Sequence, residues 1–323
     1  MNVPVTWLLP VKNGMPYLPE TLASIEAQTY RNWQVLAWDN GSTDGTAAQL
    51  HEWIPSRLPG KVIDNNPLSL ANSLVKLVEM AETEFCARID ADDVNYPERL
   101  ERQVAFLTEN PKVGIVGTDI EFIDENGSVY PGAWRQPPDD AEVRWSLRWK
   151  TSLNHPAVLF RRSVILAAGN YADCVPGEDH DLWLRSAAVT EIANIPSVLV
   201  KYRQSSTSFM AGWNRDYNWM FDKVAERNAD SLFKNMSGAE ALKLRRTAIP
   251  QDEGEVQPAD IFKFYKAATD SALAVGKPAA YFRGTELYSE QMNNMRRRLL
   301  KQYKLVRAGA AIRRKIRFWM KSS

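Results

Sequence analysis

Residues 85–97 read FCARIDADDVNYP and place three aspartates, Asp90, Asp92 and Asp93, within four positions, directly after a run that reads as a buried strand. Carboxylates this close repel one another and raise one another's pKa, so a cation is the first thing their clustering suggests. Alternating side chains at a strand end turn two carboxylates toward one cavity. Hard oxygen ligands with open water positions suit Mg²⁺ or Mn²⁺ bound together with a substrate diphosphate. Such an ion is a Lewis acid for charge building on a departing phosphate. Acidic residues also favour helix N-termini, and Pro97 opens a helical pattern here, so a capping cluster is the competing reading. An EF-hand is excluded: Glu101 stands twelfth from Asp90, but the sixth position is Asn95 rather than Gly, and Pro97 falls inside the loop.

A second acid, Asp39, ends a strand-like run within WDNGSTDGT, residues 38–46. An ionised carboxylate only accepts hydrogen bonds. In a pocket it could take a ring N–H from uracil, thymine or guanine; an ordinary Asx turn would use the same letters.

The elements that must position these acids alternate strand and helix over the first half of the chain, which predicts βαβ units and a mostly parallel sheet. Val5–Val11 reads as a strand closed by Asn13-Gly14, and Leu18, Leu22 and Ile25 recur at helical spacing. Trp33–Trp38 is a second strand, and Ala47–Ile54 a helix capped by the polar cluster before it. Lys61–Asp64 is a third strand, and Leu70, Leu74, Leu77 and Val78 mark a helix before a fourth strand, Phe85–Ile89. Three polar clusters, Lys12-Asn13, Asp39-Asn40 and Asp90 to Asp93, then fall at the carboxyl ends of strands, where open α/β sheets bind ligands. Downstream, Leu100, Val104 and Leu107 share a helical face, Val113–Ile123 is strand-like, and an Asp124–Gly127 turn follows. After the Pro137-Pro138 break, Trp145 and Trp149 sit in a helical pattern; His155–Phe160 reads as a strand, Gly177–Leu184 as a helix start, and Ile192–Tyr202 as extended. Beyond about Ser208 the pattern is helices and polar turns.

Four blocks in order, LPVKNG (9–14), QTYRNWQVLAWDNGSTDGT (28–46), ARIDADDVNYPERLERQ (87–103) and GEDHDLWLR (177–185), resemble a family 2 glycosyltransferase of the GT-A fold, of the kind that builds bacterial polysaccharide and lipopolysaccharide. The resemblance spans about residues 3–205. It implies inverting transfer of a sugar from a nucleotide-diphosphate sugar to an acceptor hydroxyl on a glycan or lipid-linked precursor. Carried over by position, Pro10, Val11 and Asn13 line the nucleotide site and Asp39 holds the base. Asp90 faces the ribose or diphosphate, and Arg88 touches the diphosphate or a nearby carboxylate. Asp92, helped by Asp93, ligates Mn²⁺ or Mg²⁺. Glu178-Asp179 matches the family's acidic pair, with Asp179 the general base. A helix N-terminus favours the charged carboxylate, which predicts an ionised, weakly basic Asp179 whose proton transfer is concerted with attack. The same EDHD letters also write a capping cluster. His155 lies in NHPAVLFRR (154–162), similar to the segment before the acidic pair in polysaccharide-building members. It could line the acceptor cavity, hydrogen-bond a phosphate or be a satisfied structural residue; Trp183 and Arg185 are further acceptor-side candidates, with core spacing the competing reading for Trp183 and pairing with an acid that for Arg185. Trp134, Trp145 and Trp149 could stack on sugars or pack in the core. The QxxRW signature of processive synthases is absent, which points to single-sugar transfer.

The 323 residues, 45% hydrophobic and 24% charged, suit a globular protein with one large α/β domain and an appendage. Cys86 and Cys174 have no metal or disulfide spacing. No signal peptide pattern opens the chain, and no run nears the roughly 18–20 apolar residues of a membrane span. From Gln291 to Ser323 there are eleven Lys and Arg and no acid, which leaves 29 bases against 39 acids elsewhere. Leu299, Leu300, Leu305, Ile312, Ile316 and Trp319 give that tail an apolar face. It reads as a basic amphipathic helix on an anionic membrane surface, and as a helix docked on the acidic body by the competing reading. The expected organisation is therefore 1–208 for the GT-A domain, 209–290 for a helical subdomain that shapes the acceptor site or an oligomer contact, and 291–323 for the tail. The expected location is the cytoplasmic side of the membrane, peripherally bound. No nucleic-acid module is present in the acidic body. Two rival functions stay open from sequence: a haloacid-dehalogenase-type phosphohydrolase, because DADDV (90–94) fits DxDx[T/V], and a non-catalytic membrane scaffold.

Overall fold

A computed structural model of the chain describes residues 2–64, 67–173, 177–205, 222–224, 227–228, 237–248 and 256–302. The chain divides into two compact units, Met1–Val224 and Ala225–Ser323. The expected boundary at 208 falls within residues 206–221, outside the described set.

The first unit is built on one sheet. Strand β1 (Val5–Val11) is buried along its whole length, as a continuous apolar run must be when helices cover both faces. It lies parallel between β2 (Trp33–Asp39) and β4 (Phe85–Arg88), and β3 (Gly60–Ile63) extends the parallel set beyond β2. The connecting helices are α1 (Leu18–Glu26), α2 (Thr46–Trp53) and α3 (Leu70–Met80). Pro19 in the first turn of α1 has a preset φ and no N–H to satisfy. Ser69 caps α3 by accepting the Asn72 N–H at 3.2 Å.

Past β4 the sheet becomes mixed. Its order is β3-β2-β1-β4-β8-β6-β9-β5, with β7 also paired to β6, off this path. Here β5 is Val94–Asn95, β6 Val113–Ile123, β7 Val129–Trp134, β8 Leu159–Arg161 and β9 Glu191–Arg203. Strands β6 and β9 run parallel, whereas β8 is antiparallel to both β4 and β6. The helices of this half are α4 (Arg99–Glu109), α5 (Asp140–Leu147), α6 (Arg162–Ala167) and α7 (Glu178–Ser186). The two short or edge strands β5 and β7 are not visible in the hydrophobic pattern. The expected strand His155–Phe160 is instead a 3-10 turn, His155–Ala157, followed by β8. Pro156 withholds a ladder donor, and the Asn154 carbonyl takes the Ala157 N–H at 2.8 Å. Trp149 lies past the end of α5, buried edge-on against Trp145 at 5.2 Å.

In the second unit, α8 (Gly238–Ala248), α9 (Pro258–Ala274) and α10 (Glu286–Gln302) pack around Phe264, which stacks on Tyr288 at 5.2 Å. A reciprocal capping box between Gln257 and Asp260 starts α9. The first part of the basic tail belongs to α10, and Met292, Met295 and Leu299 are buried there. Arg298 donates to the Thr247 carbonyl at 2.9 Å. Residues 303–323, the rest of the tail, lie outside the described residues. Among the described residues no helix is long and apolar enough to cross a membrane.

Candidate active site

The carboxyl ends of β1, β2 and β4 carry the loops. Val11 and Asp39 are register partners at the ends of β1 and β2, and the Asn40 N–H donates to the Val11 carbonyl at 2.8 Å. The two following loops are stitched together. Asn13, at φ 53, donates its N–H to Ser42 Oγ at 2.8 Å and accepts the Thr43 N–H at 2.9 Å. The Gly14 N–H reaches Thr46 Oγ1 at 2.8 Å, and the Met15 N–H reaches Asp44 Oδ2 at 2.9 Å. Gly45 occupies the N-cap position of α2 at φ 94 and has no side chain to cap with. Asp44 does that work, its Oδ1 accepting the Thr46 N–H at 3.1 Å. Asp39 is 2% exposed, and its Oδ1 accepts the Ser42 N–H at 3.0 Å. The Asp39 carboxylate therefore does bind its own loop, to the N–H three residues on rather than the two of an Asx turn, and uses one oxygen for it; the other has no partner among the described residues.

At the end of β4, Arg88 is 2% exposed and grips Asp90 with both terminal nitrogens, Nη1 reaching Oδ2 at 2.7 Å. Asp90, Asp92 and Asp93 present carboxylate oxygens within 4.8 Å of one another. Burial, then the Asp90 charge, pushes Asp92 up to about 6. Asp93 is raised well above the carboxylate range by burial and by both neighbours. Its Oδ1 accepts the Arg203 N–H at 2.9 Å, while its buried Oδ2 has no partner among the described residues. An orphaned buried oxygen beside two mutually repelling carboxylates fits a divalent cation: oxygen-only donors, a surplus of negative charge, and a penalty that bound metal relieves.

The strand end is held by two arginines that sequence reasoning did not assign to the site. Arg99, at the start of α4, is fully buried under the Trp7 ring at 5.0 Å and donates to the Arg88 carbonyl at 2.8 Å and to Asn95 Oδ1 at 2.5 Å. Arg203, the last residue of β9, donates through Nε to the Asp92 carbonyl at 2.9 Å, through Nη1 to the Asp124 carbonyl, and pairs with Glu20. An arginine closing an alternating strand resembles any surface base, and nothing in its spacing announces burial.

Helix α7 brings in the second acid pair. Gly177 supplies the left-handed turn, at φ 100, that starts it. Glu178 is 7% exposed and pushed up to about 7 by burial and then by Asp179. Asp179 keeps part of its surface open, yet burial raises it too. The helix-terminus expectation of a low pKa is corrected: backbone N–H groups pull the value down, and desolvation outweighs them. Arg88 lies among these charges as well. Burial lowers its pKa, and Asp90, Tyr171, Asp93 and Glu178 together more than restore it.

His155 sits beside the pair. Its Nδ1 is 3.8 Å from Glu178 Oε1, and its Nε2 shares a 3.0 Å hydrogen bond with the Tyr171 hydroxyl, a partner that sequence gave no sign of. Burial, and then Arg88, holds its pKa well down, so the ring is neutral. Trp183 and Arg185 are not brought to the site. Trp183 has no exposed surface and meets the His155 ring edge-on at 5.8 Å. Arg185 is turned to Asp181, at 2.8 Å, and to the Ala168 carbonyl. Pro10 and Val11 are buried in β1, and Asn13 is exposed in the loop that follows it.

The phosphohydrolase reading loses its basis here. Three βα units precede the strand of Asp90, and the proposed nucleophile is tied up by Arg88. Comparison with known proteins gives the affiliation. The family model described as glycosyl transferase family 2 matches residues 6–167, half of the chain. The amylovoran biosynthesis glycosyltransferase AmsE of Erwinia amylovora is 30% identical over 202 residues, covering 61% of this chain and 75% of that protein. Among solved structures, S. aureus TarS 1-349 in complex with UDP-GlcNAc matches with a TM-score of 0.62 at 16% identity over 93% of this chain and 92% of that one. A mannosyltransferase from Pyrobaculum calidifontis, PcManGT, in complex with GDP-Man and Mn2+, matches with a TM-score of 0.54 at 20% identity over 94% and 87%. With four motif blocks, the sheet order and the family match in agreement, the chain belongs to glycosyl transferase family 2 and is a glycosyltransferase of the GT-A fold.

Proposed function

We propose that the protein transfers one sugar, with inversion, from a nucleotide-diphosphate sugar to a hydroxyl of a glycan or lipid-linked acceptor. The observation that carries this reading is the buried constellation around Arg88, with the triplet of Asp90, Asp92 and Asp93 on one side and Glu178 and Asp179 on the other. Donors of that class are named for two structural neighbours, TarS with UDP-GlcNAc and PcManGT with GDP-Man and Mn2+.

In this reading the stitched loops after β1 and β2 receive the nucleoside, with the unpaired oxygen of Asp39 accepting a base N–H. Asp92 and Asp93 would hold Mn²⁺ or Mg²⁺, whose chemistry is to neutralise charge on the leaving diphosphate. Arg88 and Asp90 face the ribose and diphosphate. Asp179 takes the proton of the acceptor hydroxyl while that oxygen attacks the anomeric carbon opposite the diphosphate; the bond to the diphosphate breaks and the configuration inverts. A pKa raised by burial makes Asp179 a stronger base than an exposed aspartate, closer to the match general-base catalysis favours. Glu178 and neutral His155 hold the acceptor side of Asp179 in shape. Membrane contact through the basic tail falls mainly to residues 303–323, since Met295 and Leu299 are buried within the second unit.

The test is a thermal-shift screen of nucleoside diphosphates and nucleotide sugars with Mn²⁺, repeated on Asp39→Ala and Asp92→Ala. One nucleotide class should stabilise the unaltered chain, and both substitutions should weaken the shift. Equal shifts in all three proteins would remove Asp39 and Asp92 from the donor site.

A further inference from the structure

The β6–β7 hairpin carries aromatic surface into solvent. All six residues of β7 are exposed, among them Tyr130 at 43% and Trp134 at 41%. Trp134 stacks on Phe122 with centroids 6.2 Å apart, and Phe122 meets Tyr202 edge-on at 6.0 Å. This strip leads inward. Tyr202 directly precedes Arg203, whose N–H holds Asp93, and the charges of Asp93, Asp90 and Asp92 act on its phenol. On the other side of Trp134, the buried Gln136 donates to Asn154 Oδ1 at 2.9 Å, the residue before His155. The exposed ring is thus tied to both the acid loop and the His155 turn.

What would cover it can be decided by chemistry. Another protein strand is a poor fit to β7: Pro131 has no N–H to offer, Gly132 sits at φ 119, and the pairing with β6 shifts register between Glu121 and Ile123. An anionic bilayer is equally unsuited, because Glu121, Asp124 and Glu125 flank the hairpin. A pyranose ring matches. It has an apolar face for an aromatic plane and hydroxyls at its rim, and β7 offers such a plane in the exposed Trp134.

We propose that Trp134, backed by Phe122 and leading to Tyr202, is a stacking subsite for a sugar ring of the acceptor; the assignment to the acceptor rests on the transferase reading above. The experiment is saturation-transfer NMR on the full chain with a panel of methyl glycosides (glucose, galactose, mannose, rhamnose and N-acetylglucosamine, both anomers) and of cellobiose, maltose and lactose. At least one should receive saturation. Trp134→Ala should weaken that binding by about tenfold, and Trp134→Phe by much less, since the stacking plane survives. If Trp134→Ala melts early, Trp134→Thr, a good strand former at an edge, carries the same comparison. No saturation of any sugar on the unaltered chain, or equal binding by the Ala or Thr variant, overturns the subsite. Stabilisation by nucleoside diphosphate and Mn²⁺ is read separately. If it succeeds while no sugar binds, only the subsite falls; if it fails while sugars bind through Trp134, the donor reading falls and the sugar subsite stands.

Discussion

The two edges of the site are built on opposite principles. Along the edge formed by the loops after β1 and β2, Asn13, Ser42, Thr43, Asp44 and Thr46 satisfy one another across two loops at 2.7–3.1 Å, so the surface has its shape before anything binds. At the acid edge the groups do not satisfy one another. Asp92, Asp93, Glu178 and Asp179 are all pushed upward, burial being the first cause in each, and an oxygen of Asp93 has no partner among the described residues. A closed hydrogen-bond lattice confers fit, whereas a strained set of charges stores a demand that ligand and reaction meet.

The largest expected effect breaks the acid edge at its base. Asp179→Asn should lower transfer by about 10²–10⁴-fold and leave the thermal shift with nucleoside diphosphate in place, read by product formation and melting in parallel. Activity within a few-fold of the unaltered chain would give the base role to another group.

The next effect is on stability. Glu178 at about 7 in the folded protein stands above its ordinary 4.5, so the native state holds the proton more tightly than the unfolded chain. The stabilisation is complete below about 4.5 and is lost as pH rises through about 7. Glu178→Gln does not ionise. Relative to it, the ligand-free parent should lose of the order of 2–3 kcal/mol between about pH 4.5 and 8 in urea titrations. Parallel pH profiles would mean that Glu178 is solvated rather than buried.

The smallest effect belongs to the preformed edge. Asp44→Ala removes the cap of α2 and the tie to Met15, and should cost about 1 kcal/mol near neutral pH, seen as a drop in unfolding free energy. Burial raises the Asp44 pKa but the hydrogen bonds from Thr46 and Met15 outweigh it and leave it lowered, so the cost should hold across about pH 4.5–8 and shrink as pH falls through that lowered value. A loss that changed between about pH 4.5 and 8, where Glu178 titrates, would erase the contrast between the edges.

The edge formed by the loops after β1 and β2 was the more legible in the sequence. Continuous apolar runs such as Val5–Val11 end in polar turns, and that pattern fixes both the strand and the place where its loop emerges. The acid triplet and the Glu178-Asp179 pair were legible by composition and spacing. What holds them was not. Arg99 and Arg203 act through burial, and burial of a guanidinium depends on carbonyls contributed from 11 to 111 residues away. Tyr171 reaches His155 for the same reason, by folding rather than by local pattern. Strands β5 and β7 escaped because two residues, or six wholly exposed ones, carry no hydrophobic period. The pKa direction of Asp179 was misjudged because the helix terminus is written in the sequence and the depth of the pocket is not.

One guanidinium, that of Arg88, answers to both acid groups, paired with Asp90 and under the charges of Asp93 and Glu178. In the proposed reaction, donor grip and acceptor activation would draw on that common counter-charge. Evolution or design that retunes one half therefore inherits a change in the other.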